Sequence, residues 1–401
     1  MVGRAIRGFA DGFVSVLLAR YLVDLGFSPF QVGVVVTGTL LGSAALTLVF
    51  GAQSSRVTIS RLLVIACVIM IATGLGFAVV TAYVPLLLVA VVGTLNPSAG
   101  DVSVFLPSEQ AFIADRVSGT ARTRSYAVYN LCGTFAGALG ALASGIPQIV
   151  ADHSDLTLTT VERLGFGFYA FSALVILVLY RSMPKRETAR PAAAPTPRGA
   201  PRGSSRRIVL ELAALFSLDS AGSGFVVTSL LVLWLHLRFD LSRGTTAGVF
   251  FAAGLLGAGS QLLAPILARR IGLIRTMVFT HLPANALLAL AAFAPNGTVA
   301  ISLLLVRALF AQMDVPARQA FVMSVVPATD RARASSFTNV PRSLASATTP
   351  LLAGALLSHS TFGWPLLIAG SVKFSYDLIL LALHRNTPEA EPEKSTAGPV
   401  S

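Results

Sequence analysis

PSEQAFIADRVSGTARTRSYAVYN runs from Pro107 to Asn130, and PARQAFVMSVVPATDRARASSFTN runs from Pro316 to Asn339. The two align without a gap at an offset of 209, sharing Pro, Gln-Ala-Phe, Thr, Arg-x-Arg and Asn. A fainter echo pairs Gly12-Phe13-Val14 with Gly224-Phe225-Val226 at nearly the same offset. Self-similarity over such a distance marks a chain built from two like halves.

Composition says what the halves are made of. Of 401 residues 54% are hydrophobic and 12% charged, against roughly 25% charged in a soluble domain. A bilayer core of about 30 Å takes roughly 20 apolar residues per helix. Twelve stretches of that kind are legible: Ile6 to Asp24, Gln31 to Ala52, Leu62 to Ala82, Pro85 to Ala114, Arg124 to Val150, Leu164 to Tyr180, Ile208 to Leu235, Gly244 to Ala268, Ile274 to Phe293, Val299 to Val325, Arg333 to Leu357 and Trp364 to Leu383. The fold class expected is an all-α membrane protein of twelve transmembrane helices in two six-helix repeats. An inverted repeat with an odd number of helices places its copies on opposite membrane faces. Here both copies carry Arg-x-Arg at the same face, so the repeat is parallel, about an axis along the membrane normal.

Charge placement orients the bundle. With the amino terminus inside, 22 of the 30 basic residues fall in cytoplasmic segments, from Arg4 and Arg7 to Arg385 and Lys394, and three, Arg163, Arg238 and Arg243, in the opposite loops. This positive-inside pattern puts both termini in the cytoplasm and a multi-pass chain in the cell (inner) membrane. The net charge of +12 is thereby accounted for without a nucleic-acid partner. Arg4 and Arg7 lead straight into a helix without a small-residue cleavage site, so the first helix is expected to act as its own signal. Cys67 and Cys132 lie in separate spans and read as small packing residues, with neither a disulfide nor a metal site implied.

Four segments follow. A first half, 1–182, and a second, 208–386, are joined by a linker, 183–207, whose Pro, Ala, Gly and Arg cannot bury enough surface to fold. The tail, 387–401, reads as disordered on the same grounds.

Three local patterns bear on kinship. The loop after the second span, GAQSSRVTISR, holds Gly51, Arg56 and Arg61, and its counterpart in the other half, PILARRIGLIR, holds Arg270, Gly272 and Arg275. In the fifth span GTFAGALGA places Gly133, Gly137 and Gly140 in register. With the parallel two-half repeat, these resemble the major facilitator superfamily over nearly the whole chain. The resemblance implies a secondary transporter with a central cavity lined by helices one, four, seven and ten. It also implies a loop, Gly-x-x-x-Asp-Arg-x-Gly-Arg in the family, that locks helices on the cytoplasmic side. Ser55 and Thr58 stand here where the family has Asp and Gly, and plain positive-inside anchoring is the alternative reading. The glycines resemble those of the family's proton-coupled antiporters, although Ala138 and Ala141 replace its proline and last glycine; close helix packing is the alternative. Helix four lacks the arginine typical of the family's drug/proton exchangers.

Other chemistries are excluded by what the sequence lacks. None of the three lysines sits in a phosphate-binding loop, and the five histidines form no zinc or triad pattern. No enzyme, cofactor, metal or catalytic residue is expected. Ionisable groups inside a bilayer cost about 2.5 to 3.5 kcal/mol on insertion scales, yet the four cavity helices carry Asp11, Asp101, Glu109, Asp219, Arg307, Asp314 and Arg318. We take Asp11, Asn96, Asp101, Asp219, Arg307 and Asp314 as the substrate and proton pathway. Arg307, Asp314 and Arg318 fall within roughly 40° on a continuous helix, and Asn96-Pro97 is a candidate mid-membrane break. Glu109 and Arg318 occupy identical repeat positions and are candidates for a cytoplasmic gate across the two-fold axis; the alternative is that each pairs within its own half. Arg20 with Asp24, and Lys373 with Asp377, are spaced to pair along their own helices, and His281 with Asn285 to bond between helices. Proton-linked efflux of a small organic solute by a monomer is the leading reading. Uptake by symport or facilitated diffusion, and a non-transporting receptor or scaffold, are the alternatives.

Overall fold

The computed structural model describes residues 1–53, 57–98, 105, 109, 119–182, 205–325 and 331–384. Every regular element among them is a helix. The first half contains α1 (Val2–Asp24), α2 (Pro29–Gln53), α3 (Ile59–Val79), α4 (Tyr83–Val92), α5 (Gly119–Ala143), α6 (Ile146–Asp152) and α7 (Leu158–Ser182). The second contains α8 (Ser205–Phe225), α9 (Thr228–Phe239), α10 (Arg243–Ile271), α11 (Leu273–Ala291), α12 (Gly297–Ala308), α13 (Asp314–Val325), α14 (Arg331–His359) and α15 (Trp364–His384). The α8 helix begins at Ser205, inside the stretch expected to be linker; residues 183–204 and the tail lie outside the described residues.

Eight helices are long and apolar enough to cross a membrane by length and composition among the described residues. The first, fourth, tenth and eleventh spans fall outside that set. The α1 helix carries Arg4, Arg7, Asp11, Arg20 and Asp24, α4 and α12 are short, and α14 is rich in serine and threonine. Large apolar side chains face outward along the spans, among them Val84, Leu88 and Val92 on α4 and Leu262, Leu263 and Ile266 on α10, as a lipid-facing surface requires.

Four spans are interrupted among the described residues, the fifth only at Ser144 and Gly145, between α5 and α6. The break expected at Asn96-Pro97 is present, with α4 ending at Val92. The seventh span, expected whole from Ile208 to Leu235, breaks at Val226 and Val227, where Thr228 Oγ1 donates to the Ser98 carbonyl at 3.1 Å and the Ser229 N–H to the Pro97 carbonyl at 3.1 Å. The interruption thus docks on the broken fourth span. The tenth span breaks over residues 309–313 and restarts at Asp314, which puts Pro316 in a first turn where its missing N–H costs no helical bond. Arg307 therefore does not share one continuous helix with Asp314 and Arg318.

The halves meet through α2 on α14, α5 on α10 and α1 on α9. Small residues permit the approach: a Cβ on Gly33 would lie 2.7 Å from the Pro350 carbonyl oxygen and 2.9 Å from the Gly354 Cα. Within the first half, α1 packs on α5. A Cβ on Gly8 would lie 2.5 Å from the Gly133 carbonyl oxygen, one on Gly12 would collide with the Gly137 carbonyl, and one on Gly140 with the Phe9 carbonyl. The glycines of the fifth span thus serve close packing. Gly272, at φ 88° and ψ 165°, a conformation suited to glycine alone, lets α10 end and α11 begin in a single residue.

Candidate functional site

The first-half cluster is built on α1. Arg7, 1% exposed, reaches Glu109 Oε2 at 2.5 Å. The Tyr129 and Tyr180 hydroxyls also donate to the Glu109 carboxylate, and Arg7 Nη2 donates to the Tyr129 hydroxyl at 3.1 Å. Aromatic faces complete the cage: the Arg7 guanidinium lies 4.8 Å from the Phe105 ring centroid and that of Arg4 5.2 Å from Tyr129. Asp11, one turn beyond Arg7, is buried and makes no hydrogen bond or ion pair among the described residues. Arg4 and Arg7, which the charge count places among the cytoplasmic anchors, are instead buried in this cluster, because α1 starts at Val2 and carries them into the bundle.

The second-half cluster is larger. Asp219 on α8 accepts from Lys373 Nζ at 2.6 Å and from Arg318 Nη1 at 3.3 Å. Arg318 also pairs with Asp314 at 3.2 Å. His281 stands between two carboxylates, with Nδ1 3.0 Å from Asp377 Oδ1 and Nε2 3.8 Å from Asp219 Oδ1. Asn285 Nδ2 donates to Asp377 Oδ2 at 2.8 Å. Polar side chains thus run from α15 and α11, through α8, to the start of α13. Lys373 also donates to Ser223 at 2.8 Å, and Arg342 to Ser220 at 3.1 Å.

The two clusters are related by the repeat with their charges reversed. Arg7 and Asp219 are 212 residues apart, the spacing of the Gly-Phe-Val echo, and Glu109 and Arg318 are 209 apart. One half pairs a cation on its first helix with an anion on its fourth; the other pairs an anion on its first with a cation on its fourth.

A third set of contacts seals the end of the bundle away from the start of α1. Arg243, at the start of α10, pairs with Asp24 of α1 and with Glu162 of α7 at 3.2 Å, and donates to Gln148 of α6 at 3.4 Å. Arg20 Nη1 donates to the Leu241 carbonyl at 3.1 Å. Deeper in the seam, Ser229 Oγ donates to the carbonyls of Ser15 at 2.7 Å and Pro97 at 3.0 Å. This end, hereafter the distal end, is closed by bonds that cross between the halves.

Of the expected residues, the structure joins Asp219, Asp314 and Arg318, and sets Asp11 beside the Arg7–Glu109 pair. Asn96 is buried at the break, its Oδ1 accepting from Ser98. Arg307 ends α12 and has no ion pair among the described residues. Asp101 and Arg56 lie outside the described residues, Gly51 is in the last turn of α2, and Arg61, Arg270 and Arg275 are exposed. Glu109 and Arg318 are not paired with each other here; each is held in its own half. Two expected pairs are corrected. Asp24 and Arg20 bind across the seam rather than to one another, and Lys373 binds Asp219 while Asp377 binds His281 and Asn285. In both cases a neighbouring helix offers a buried counter-charge that outcompetes the partner one turn along. The expected interhelical role of His281 and Asn285 is present. Missed were Arg7, Lys373, Glu162 and Arg243. Arg7 was reachable through the Gly-Phe-Val echo, and Arg243 as one of only three basic residues in the opposite loops.

The Major Facilitator Superfamily model matches residues 1–312 and 285–400. An uncharacterized membrane protein of Saccharomyces cerevisiae is 26% identical over 410 residues, covering 94% of this chain and 91% of the relative. Among solved structures, a D-xylose-proton symporter superposes with a TM-score of 0.74 at 16% identity, covering 97% of this chain and 98% of that one. The xylose transporter XylE from E. coli in an inward open conformation gives 0.73 at 15%, over 98% and 96%, and the nucleoside transporter NupG 0.71 at 12%, over 95% and 97%.

Proposed function

Because the chain belongs to the Major Facilitator Superfamily, and so is a membrane transporter rather than an enzyme, we propose that it carries out proton-linked efflux of a small organic solute by alternating access, solute leaving as protons enter. The observation that carries the alternation is the pair of charge-reversed clusters. In a parallel two-half transporter the equivalent first helices face each other across the pseudo-two-fold axis, as do the fourth and tenth. Rocking the halves together at the other end sets Arg7 toward Asp219 and Glu109 toward Arg318, opposite charges in both cases. Like-charged clusters would repel there. The charges thus have two consistent arrangements, within halves when that end is open and across halves when it is closed, which makes Glu109 and Arg318 the gate.

The topology we infer puts both termini and segment 183–207 in the cytoplasm, so that the sealed distal end faces outward. The first half, 1–182, and the second, 208–386, each supply one wall of the passage, so one chain suffices and the protein acts as a monomer in the inner membrane. Proton coupling is supported by Asp11, a buried carboxylate with no bonded partner among the described residues. The Asp377–His281–Asp219 chain supports it further, since an imidazole between two carboxylates can accept a proton on one nitrogen and release it from the other. Asp314 and Asp101 extend the pathway, and Asn96 and Arg307 flank the breaks where backbone polar groups are free to meet a solute.

Solute counterflow in proteoliposomes, with and without an imposed pH gradient, tests this reading. Counterflow of at least one organic solute, with accumulation driven by the gradient, is expected. Exchange indifferent to the gradient contradicts proton linkage, and uptake toward the side of lower proton concentration with the proton contradicts efflux.

A further inference from the structure

The distal seal contains a group that the pathway does not use. Glu162 is wholly buried, 0% exposed. Its Oε1 accepts from Arg243 Nε at 3.2 Å and lies 3.2 Å from Arg243 Nη2, while its Oε2 is buried with no hydrogen-bond partner among the described residues. The same Arg243 nitrogen, Nη2, also holds the Asp24 carboxylate. Two carboxylates therefore converge on one guanidinium, and one of their oxygens is left bare in a medium where an unpaired anionic oxygen is costly. Beside Arg243 and Arg20 lies a void of about 10 Å³, bounded also by Ser144, Thr246 and Leu17, close to the size of one water.

We propose that Glu162 is a proton-binding site that controls the outer gate: a proton taken up on Oε2 neutralises Glu162, releases it from Arg243 and lets the distal ends of the halves part. This deepens the proton-linked reading above and rests on it. The bond formed is Oε2–H, the proton comes from the outer solvent, and nothing else is consumed. Asp24, which shares Arg243, lies beside Glu162, and Tyr21 of α1, whose hydroxyl donates to the Phe77 carbonyl at 2.9 Å, faces it as well. Packed around the latch, α1 contributes Arg20 and Asp24, α6 contributes Gln148 and Asp152, α9 contributes His236, α10 contributes Arg243, and Asp240 caps α9. Gln148 Nε2 is bonded to Asp152 at 2.7 Å and His236 Nδ1 lies 3.3 Å from Asp240, so these two acids already have partners. Arg163, next to Glu162, turns away to the Ala78 carbonyl at 2.5 Å. With Asp24 and Glu162 both ionised, Arg243 is held across the seam by two carboxylates, beside the Arg20 bond to the Leu241 carbonyl. Protonating Glu162 leaves it only Asp24 and Gln148.

The test reads the gate directly. In a chain with Cys67 and Cys132 replaced by alanine, Ala247→Cys places a thiol under the latch, where Ala247 is 1% exposed. Its reaction with an impermeant maleimide added from outside, normalised to the exposed Ser154→Cys, is followed from pH 8 to pH 5.5. The normalised rate is expected to rise several-fold on acidification, and Glu162→Gln to label fast at every pH. Glu162→Asp restores the pH dependence, and Arg243→Gln, which removes the latch from the other side, also labels fast throughout. A wild-type rate that does not change with pH, or a Glu162→Gln variant that keeps the wild-type pH profile, overturns the proposal. Counterflow by the unsubstituted chain at equal pH on both sides reports the transport reading separately: its absence refutes transport while the labelling still decides the gate.

Discussion

Lys373 is buried on α15 with its ammonium 2.6 Å from Asp219, so neither group is expected to survive alone. Removing one partner of a buried pair costs about 3 to 5 kcal/mol, whereas replacing both by groups of similar volume is often neutral. Lys373→Met is therefore predicted to lower the thermal midpoint sharply, and Lys373→Met with Asp219→Asn to recover part of the loss, as read by thermal unfolding in detergent. A double variant no more stable than the single contradicts a direct pair. The reversed clusters call for a different experiment. Exchanging charges within the first half, Arg7→Glu with Glu109→Arg, keeps that pair but sets like charges across the gap, Glu against Asp219 and Arg against Arg318. The chain is predicted to fold and to lose transport; counterflow at the wild-type rate contradicts the partner exchange. Residues such as these show where sequence reasoning reaches its limit. The acidic groups of the cavity helices were legible because charge inside an apolar span is costly. Their partners were not, since Lys373 pairs with a residue 154 positions away rather than with Asp377 one turn along, and only packing decides between the two.

At the level of the elements, the same contrast has a geometric cause. Apolar runs of some 20 residues disclose spans, and Asn96-Pro97 discloses a break, because proline removes a helical hydrogen bond. The break at Val226 and Val227 has no such local signature, since its bonds go to the Pro97 and Ser98 carbonyls of the other half. The glycines of α5 were visible as a stripe, but their partners, Gly8 and Gly12 on α1, emerge only from the packing. Substituting Gly12 by Leu inserts a side chain where even a Cβ collides with the Gly137 carbonyl. Overpacking typically costs about 1 to 3 kcal/mol, and backbone contact puts this site at the upper end. The expected outcome is a lower thermal midpoint, with Gly167→Leu as control, since nothing lies within 4 Å of a Cβ there. Equal effects at the two sites contradict the packing assignment of the stripe.

For the whole molecule, the sequence repeat was the most informative feature, because two equal halves with basic residues on one face admit few membrane architectures. What the repeat does not encode is which conformation prevails, since that depends on bonds across the seam such as Arg243 to Asp24, Glu162 and Gln148. The topology is testable on its own: an impermeant thiol reagent added to intact cells is expected not to modify a cysteine placed in segment 183–207 until the cells are lysed, and modification without lysis contradicts it. Alternating access requires the two halves to rock against each other. Electron-spin distance measurements decide it, with one pair of labels at the distal end, on Ser154 and Asn296, and one at the opposite end, on Ser182 and Arg270. All four are exposed, and each pair spans the two halves. On shifting from pH 8 to pH 5.5, the distal distance is predicted to lengthen as the opposite one shortens, in the same fraction of molecules. Distances that stay fixed at both ends, or that lengthen together, contradict alternating access.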